Sequence, residues 1–234
     1  MLIAEKETKS KQVILNNIMF NDINMIDLQG ELRKEEPMSR HTSWKTGGNA
    51  DYYYIASDLN DLTKFISKLP DSIPITWVGL GSNLLVRDGG IHGVVISTSG
   101  LFNELKNLTE TEIFIGAGVS CAKAANFSAR SGLEGIEFLA GIPGTIGGAL
   151  AMNAGAYGGE IWSYVKEVET INREGIRKIF GKDKFDISYR SVSIPKNEWF
   201  IACKMGLEIS TSSIVSGRIK KMLGKRADEQ PLGK

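Results

Sequence analysis

The sequence predicts an α+β fold in which helices and short strands alternate along the 234 residues. Apolar residues recur at helical spacing over residues 59–69, which is the pattern of an amphipathic helix. Runs rich in β-branched and aromatic residues, such as 51–55 and 93–97, are typical of strands. Hydrophobic residues make up 42% of the chain, enough for a sizeable core in one large domain or two small ones.

The first half of the chain predicts one clear helix among strands. Ser57 or Asp58 can cap the N-terminus of this helix, and Pro70 ends it. Its apolar face comprises Leu59, Leu62, Phe65, Ile66 and Leu69. We predict strands over 51–55, 74–78, 93–97 and 112–115, a turn over 79–83 and an extended run over 84–86. The charge-rich residues 1–36 are expected to form a helical arm.

The second half predicts two further helices. Ser120 can cap a helix of small residues that reaches about Arg130, and Gly132 closes it. Strands are expected over 165–172 and 200–209. The last helix is predicted from four apolar residues that fall on one helical face, Val215, Ile219, Met222 and Leu223.

Composition excludes several classes of function. The 28 basic residues balance 27 acidic ones, which argues against binding to nucleic acid or to a membrane surface through bulk charge. Cys121 and Cys203 lie far apart and fit neither a disulfide framework nor a metal site. Charged residues such as Glu5 and Lys6 interrupt the apolar N-terminus, so it predicts neither a signal peptide nor a membrane span. We therefore expect a soluble, cytoplasmic protein without a metal.

Glycine is concentrated in one stretch. Residues 141–160 contain seven glycines and four alanines. Glycine reaches positive φ angles and lets a ligand approach the main chain, so backbone N–H groups can hold a pyrophosphate. The loops over 79–83 and 116–118 have the same potential, although either one alone is more often a tight turn. None of the three fits a Rossmann fingerprint, and no Gly-Lys-Ser/Thr phosphate loop is present.

At these residues the sequence resembles the UDP-N-acetylenolpyruvoylglucosamine reductases, FAD enzymes that reduce an enolpyruvyl ether in bacterial peptidoglycan synthesis. The resemblance runs from about residue 27 to the last residue. The matching motifs are Gly81–Leu85, Leu139–Ala149, Met152–Glu160 and Ser188–Ser191, with support from His41–Trp44 and Arg87–Gly90.

The resemblance implies an FAD-binding fold of the vanillyl-alcohol-oxidase (PCMH) type, with FAD held between two subdomains, 37–98 and 99–211. The arm at 1–36 would precede them, and 212–234 would begin a substrate domain that is mostly missing. It also implies that FAD lies against nearly bare backbone. The implied FAD-binding residues are Gly81, Ser82, Asn83, Gly116, Gly118, Gly141, Ile142, Pro143, Gly144, Thr145 and Gly147. Leu80 departs from the family, which usually has another glycine there.

The resemblance further implies that NADPH reduces FAD, which then reduces a small-molecule substrate, the UDP-sugar enolpyruvyl ether. Arg190 matches the catalytic arginine of the family, whose cation would stabilise an enolate that forms beside the substrate carboxylate. From the residues alone, Arg190 reads as a surface arginine after a strand. Tyr157 and Arg226 are candidate substrate-binding residues, against the alternatives of a packed loop aromatic and a solvated helix face.

The family's proton-donating serine lies in an Ala-Gly-Ser motif a few residues after a Gln-Pro pair. Here the sequence reads Gln230-Pro231-Leu232-Gly233-Lys234, so we expect a chain truncated before that serine and before the family's catalytic glutamate. An impaired reductase and an inactive FAD-binding remnant are the two leading hypotheses. A related oxidase is a third, weakened because neither His41 nor His92 lies in a recognisable flavin-attachment motif.

Overall fold

The computed structural model describes residues 28–229, so the predicted arm lies outside the described residues over 1–27. The chain divides into two compact units. The first unit runs to Leu101 and includes Asn172–Ile176, and the second comprises 102–171 and the residues from Arg177 onward. The sequence-based division differs from these units. It placed 99–101 and 172–176 in the second subdomain, and it separated the last helix, which is grouped with the second unit.

A four-stranded sheet forms the first unit. Its strands are β1 (Glu31–Pro37), β2 (Asn49–Ile55), β3 (Ile75–Val78) and β4 (Ile91–Ser97), in the order β1-β2-β4-β3. The β1–β2 pair is antiparallel, whereas β4 is parallel to both β2 and β3. Helix α1 (Leu59–Lys68) connects β2 to β3.

Helix α1 begins where the sequence predicts it. The side chain of Asp58 caps it by accepting a hydrogen bond from the N–H of Asp61 at 2.8 Å. Asp61 is itself buried and accepts hydrogen bonds from the Tyr54 hydroxyl and from the N–H groups of Gln29 and Ser57. Burial acts to raise the pKa of Asp61, but these hydrogen bonds outweigh it and hold the pKa below its ordinary value.

A five-stranded sheet forms the centre of the second unit. Its strands are β5 (Leu105–Asn107), β6 (Glu112–Gly116), β10 (Val165–Asn172), β11 (Arg177–Gly181) and β14 (Glu198–Gly206). Their order in the sheet is β11-β10-β14-β6-β5. The shorter strands are β7 (Leu133–Glu134), β8 (Gly155–Ala156), β9 (Gly159–Glu160), β12 (Ile187–Ser188), β13 (Ser191–Val192) and β15 (Glu208–Ile209). These pair as three two-stranded sheets, β7–β15, β8–β9 and β12–β13.

Three helices pack in this unit, α2 (Cys121–Arg130), α3 (Ile146–Ala151) and α4 (Ser212–Glu229). The side chain of Ser120 caps α2, as predicted, and Gly132 adopts a φ of +70° just beyond its end. Val215 and Ile219, which belong to the predicted apolar face of the last helix, are buried in the core of this unit. Both free cysteines, Cys121 and Cys203, are buried there too.

One local prediction is wrong, and one helix was not predicted. Residues 31–36, expected to be helical, form most of β1, because pairing with β2 outweighs their charged composition. Residues 84–86, predicted as an extended run, follow the turn and lie outside the strands of the sheet. The glycine-rich stretch contains a short helix, α3, whose N-terminus is capped by the side chain of Thr145. Within residues 28–229, no helix is both long enough and apolar enough to cross a lipid bilayer.

Candidate functional site

The first unit places Gly81 in the loop that follows β3, where its own chain requires a glycine. The φ of Gly81 is +62°, and a Cβ on it would lie 1.8 Å from the carbonyl oxygen of His41. The N–H of Ser43 donates a hydrogen bond to the Gly81 carbonyl at 3.2 Å. The segment His41–Ser43 therefore holds this loop from one side, and any larger residue at 81 would clash with backbone.

This loop also presents N–H groups that the protein itself leaves unpaired. Throughout 28–229, no acceptor faces the N–H of Gly81, Ser82 or Asn83. Successive N–H groups beside a residue with positive φ form a concave anion site. Leu80 has an ordinary negative φ and a half-exposed side chain, so the departure from the family glycine introduces no backbone strain.

The His41 segment is anchored by packing and charge. The imidazole of His41 stacks on Tyr53, with ring centroids 4.1 Å apart, and its Nε2 lies 2.8 Å from the carboxylate of Glu36. Burial acts to raise the pKa of Glu36, but hydrogen bonds from His41 and Arg33 outweigh it and lower the pKa. Glu36 therefore stays ionised and fixes the imidazole of His41. The backbone carbonyl of the same residue lies against Gly81.

In the second unit, the loop over 116–118 does not match its prediction as an amide cradle. The N–H groups of Gly116, Ala117 and Gly118 already donate to the carbonyls of Glu104, Ile201 and Phe102. A Cβ on Gly116 would lie 1.9 Å from the Phe102 carbonyl oxygen. Internal packing therefore accounts for Gly116, and the amides of this loop are not available to a phosphate.

The loop over 141–148 behaves differently. A Cβ on Gly141 would meet only the side chains of Tyr157 and Arg226, at 3.4 Å and beyond, and a Cβ on Gly148 would meet only the Thr145 hydroxyl, at 3.7 Å. These are ordinary contact distances. Both glycines also avoid positive φ. Internal packing therefore leaves their lack of side chains unexplained.

Neighbouring contacts hold this open backbone in place. The N–H of Cys121 donates to the Gly144 carbonyl at 2.9 Å, and the N–H of Ile146 donates to the Val119 carbonyl at 2.8 Å. Across residues 28–229, the N–H groups of Gly144 and Thr145 have no acceptor. The loop therefore combines a fixed backbone with N–H groups that the described residues leave unpaired.

The other predicted residues of this loop line its two ends. The N–H of Ile142 donates to the Leu139 carbonyl at 3.0 Å, and Pro143 is exposed. Gly147 is the second residue of α3 and packs against Ala117, and a Cβ on it would lie 3.0 Å from the Ala117 side chain. Packing against Ala117 thus contributes to the choice of glycine at 147.

Two predicted substrate residues meet at Gly141. The ring of Tyr157 and the guanidinium of Arg226 both lie near the position that a Gly141 Cβ would occupy. The Tyr157 hydroxyl donates to the Met222 carbonyl on α4 at 2.9 Å, which fixes the ring although 43% of Tyr157 is exposed. A permanently charged group and an aromatic ring therefore flank the open glycine backbone.

Arg190 lies in the turn that joins β12 to β13. It is exposed and has a φ of +54°, a conformation that residues other than glycine rarely adopt. Its Cζ atom lies 5.9 Å from the centroid of the Tyr189 ring, and 83% of Tyr189 is exposed. Strained residues of this kind are concentrated at functional sites.

Known proteins share this sequence and fold. A family profile described as "FAD binding domain" matches residues 50–179. A curated relative from Alkalilimnicola ehrlichii, a UDP-N-acetylenolpyruvoylglucosamine reductase, is 48% identical over 204 residues, which cover 87% of this chain and 68% of the relative. The chain belongs to the UDP-N-acetylenolpyruvoylglucosamine reductase family.

Further reductases of the family agree. The one from Nitrosococcus oceani is 47% identical over 212 residues, covering 90% of this chain and 70% of the relative. The crystal structure of the reductase from Thermus caldophilus matches with a TM-score of 0.73 at 25% identity, over 87% of this chain and 71% of that chain. A 6-hydroxy-D-nicotine oxidase from Arthrobacter nicotinovorans shares the fold, with a TM-score of 0.59 at 14% identity and coverage of 79% and 43%. The predicted FAD-binding fold is confirmed.

FAD fits the loops of this reductase family member. Unpaired N–H groups at 81–83 and at 144–145 match the acceptor oxygens of a pyrophosphate. At Gly141 and Gly148 a side chain could be accommodated by the protein but would occupy space beside the backbone. Each loop, taken by itself, therefore offers groups that suit a dinucleotide.

Sequence reasoning missed one residue in this reductase, Asn153. It is buried, with a φ of +39°, and its side-chain amide donates to the Ser188 carbonyl at 3.2 Å and to the Glu160 carboxylate at 3.0 Å. Asn153 lies inside the quoted family motif, and asparagine is one of the few residues besides glycine that adopt a positive φ. Its partner Ser188 is distant in sequence, so the contact itself was not predictable.

Proposed function

We propose that this chain uses FAD to reduce UDP-N-acetylenolpyruvoylglucosamine to UDP-N-acetylmuramate, with NADPH as the reductant. The observation that carries the proposal is the open backbone at Gly141 and Gly148, which internal packing does not require. We propose FAD as the ligand of this open backbone, because the chain belongs to a family with an FAD binding domain.

In this proposal each loop is assigned to FAD by itself. The N–H groups of Gly81, Ser82 and Asn83 are proposed to hold pyrophosphate oxygens, and residues from Gly141 to Gly148 are proposed to lie against FAD. When bound, FAD supplies the hydride that the enolpyruvyl carbon receives. The hydrogen bonds from Cys121 to Gly144 and from Ile146 to Val119 already order the second loop, which limits the entropic cost of binding there.

We assign Arg190 as the catalytic residue that holds the substrate carboxylate. Negative charge grows on that carboxylate and its neighbouring carbon as hydride adds, so a fixed cation stabilises the transition state more than the ground state. Exposure of the Arg190 turn leaves the guanidinium accessible to a substrate. The planar guanidinium matches a carboxylate with two parallel hydrogen bonds.

Tyr157 and Arg226 are proposed to contact the substrate or a diphosphate. Their position around Gly141 supports this role, because a phosphate placed against the open backbone would meet the Arg226 cation. We also propose that the protein works in the cytoplasm on this small molecule, without nucleic acid or membrane partners. The near balance of 28 basic and 27 acidic residues supports that assignment.

A second candidate is an FAD-binding module without reductase activity. The observation that favours it is that the open backbone and the unpaired N–H groups account for FAD binding and do not by themselves require turnover. The two candidates share FAD binding and differ in turnover.

The test uses the purified 234-residue chain. FAD is titrated first, with the absorbance of bound flavin as the readout, and NADPH oxidation is then followed with and without UDP-N-acetylenolpyruvoylglucosamine. The proposal predicts stoichiometric FAD and faster NADPH oxidation when the sugar is present. FAD binding without that acceleration would support the inactive module, and failure to bind FAD would contradict both candidates.

A further inference from the structure

We propose that Asn153 is a positioning residue, which holds the Arg190 turn through hydrogen bonds to the strand that leads into it. The inference rests on the proposed function in taking Arg190 as the residue that binds the substrate carboxylate. It adds a residue that touches neither FAD nor substrate but determines where the cation lies.

The link is direct. The Asn153 side-chain amide donates to the carbonyl of Ser188, in β12, two residues before Arg190. The same nitrogen donates to the carboxylate of Glu160, in β9, at 3.0 Å. One side chain therefore ties the glycine-rich stretch to the hairpin that carries the catalytic arginine.

The two acceptors fix the orientation of the amide. A carbonyl and a carboxylate both require a donor, so the NH₂ group must face them and the oxygen must point away. Within residues 28–229, Oδ1 of Asn153 is buried without a hydrogen-bond partner. A buried acceptor without a partner is destabilising, and so is the φ of +39°. Asn153 thus occupies an energetically unfavourable state, which is typical of residues whose position serves function.

The other restraints on the hairpin act on its strands and not on its turn, since Ile187 and Val192 pack against the core and the N–H of Ser193 donates to the Asp186 carbonyl. Its strands β12 and β13 are two residues long, and Tyr189 and Arg190 in the turn are exposed. Short, exposed elements open locally at low free energy. A hydrogen bond from a buried side chain to β12 is therefore expected to restrict the motion of Arg190 more than the turn's own contacts do.

The test variant is Asn153→Gly. Glycine accepts the left-handed φ, so the substitution removes the amide without adding backbone strain. Asn197→Gly is the matched control, since Asn197 is in the same unit, has a φ of +61° and is exposed in a different turn. If Asn153→Gly fails to fold, Asn153→Asp replaces it, because its oxygen would face the Ser188 carbonyl and repel it.

The first readout is independent of flavin. Limited trypsin digestion is followed by mass spectrometry at the bond after Arg190, with the bond after Lys184 as an internal reference. We expect cleavage after Arg190 to accelerate about tenfold in Asn153→Gly, because one to two hydrogen bonds are lost. In Asn197→Gly the rate should stay within twofold of wild type. Unchanged cleavage after Arg190 in Asn153→Gly would overturn the proposal.

The second readout is a double-mutant cycle on the FAD-loaded chain. Binding of UDP-N-acetylenolpyruvoylglucosamine is followed from the flavin absorbance in wild type, Asn153→Gly, Arg190→Ala and the double variant. We expect each single change to weaken binding and the double variant to match Arg190→Ala within twofold. Full additivity would overturn the positioning role. Wild-type affinity in Arg190→Ala would instead contradict the proposed function, while the trypsin result still judges Asn153.

Discussion

The glycine loop around Gly81 and the glycine loop over 141–148 look alike in sequence but differ in structure. Gly81 has a positive φ, and a Cβ there would lie 1.8 Å from a backbone oxygen, so the fold requires glycine. Gly141 and Gly148 have ordinary φ angles and space for a methyl group. Both loops present unpaired N–H groups.

The difference shows that a glycine near a ligand can be there for two reasons. In the first loop, glycine lets the chain turn, and the N–H groups of the turn become available as a consequence. In the second loop, Gly141 and Gly148 have φ angles that any residue can adopt, so the absence of a side chain affects only a ligand that binds beside the backbone. Substitution by alanine separates the two reasons, because it tests stability and ligand affinity independently.

The largest expected effect is at Gly81. Gly81→Ala should lower the free energy of unfolding by about 3 kcal/mol or more, because Cβ would clash with the His41 carbonyl at an unfavourable φ. Urea unfolding followed by circular dichroism measures this. Gly89→Ala is the control, since a Cβ there meets nothing within 4 Å and its φ is ordinary. Equal stability of the two variants would remove the distinction between the loops.

A smaller loss of stability is expected at Asp61, in the first unit but outside both glycine loops. Asp61→Asn should lower the free energy of unfolding at pH 7 by about 2 kcal/mol, since the Gln29 and Ser57 N–H groups lose a charged acceptor. The FAD affinity of the folded protein should stay unchanged. If Asp61→Asn also bound FAD more weakly, a loss of stability alone would be enough to lower FAD affinity, and FAD affinity would not report contacts with the loops.

The Asp61 effect should also depend on pH. The pKa of Asp61 is lower in the folded protein than in the unfolded chain, so its stabilisation is complete above the unfolded value, about 4. It is lost as the pH falls through the folded value. The gap in stability between wild type and Asp61→Asn should therefore narrow in acid, which urea unfolding at pH 7 and pH 3 would measure.

The smallest expected change in stability is a gain. Gly148→Ala in α3 and Gly217→Ala in α4 should each stabilise the protein by up to about 1 kcal/mol, because alanine favours a helix and both positions have space. Only Gly148→Ala should weaken FAD binding. Thermal unfolding and FAD titration on the same samples would show this, and equal FAD affinities would contradict the proposed role of Gly148.

The sequence predicts most of the fold where local chemistry decides it. Asp58 and the apolar spacing of α1 are sufficient to place that helix, and Ser120 places α2. Strand β1 was missed because its charged sequence favours a helix, and only the neighbouring strand β2 makes it extended. Helix α3 was missed because its glycines disfavour a helix, although Thr145 caps it.

The candidate site was predicted in part. Family motifs indicated Gly81, Gly141 and Arg190, but not which glycines the fold itself requires, since that depends on atoms distant in sequence. Gly116 is an example, because the residue that requires a glycine there is Phe102, whose carbonyl leaves no space for a Cβ. The same holds for Asn153, whose partner Ser188 lies 35 residues away.

The most direct test of the claim that the 141–148 backbone is left bare for a ligand measures both FAD affinity and stability on the same variant. For Gly141→Ala, FAD affinity is obtained by titration and stability by urea unfolding without FAD. We predict a dissociation constant raised about tenfold or more, with the free energy of unfolding within about 0.5 kcal/mol of wild type. Unchanged FAD affinity, or a loss of stability as large as that of Gly81→Ala, would contradict the claim that this backbone is left bare for a ligand.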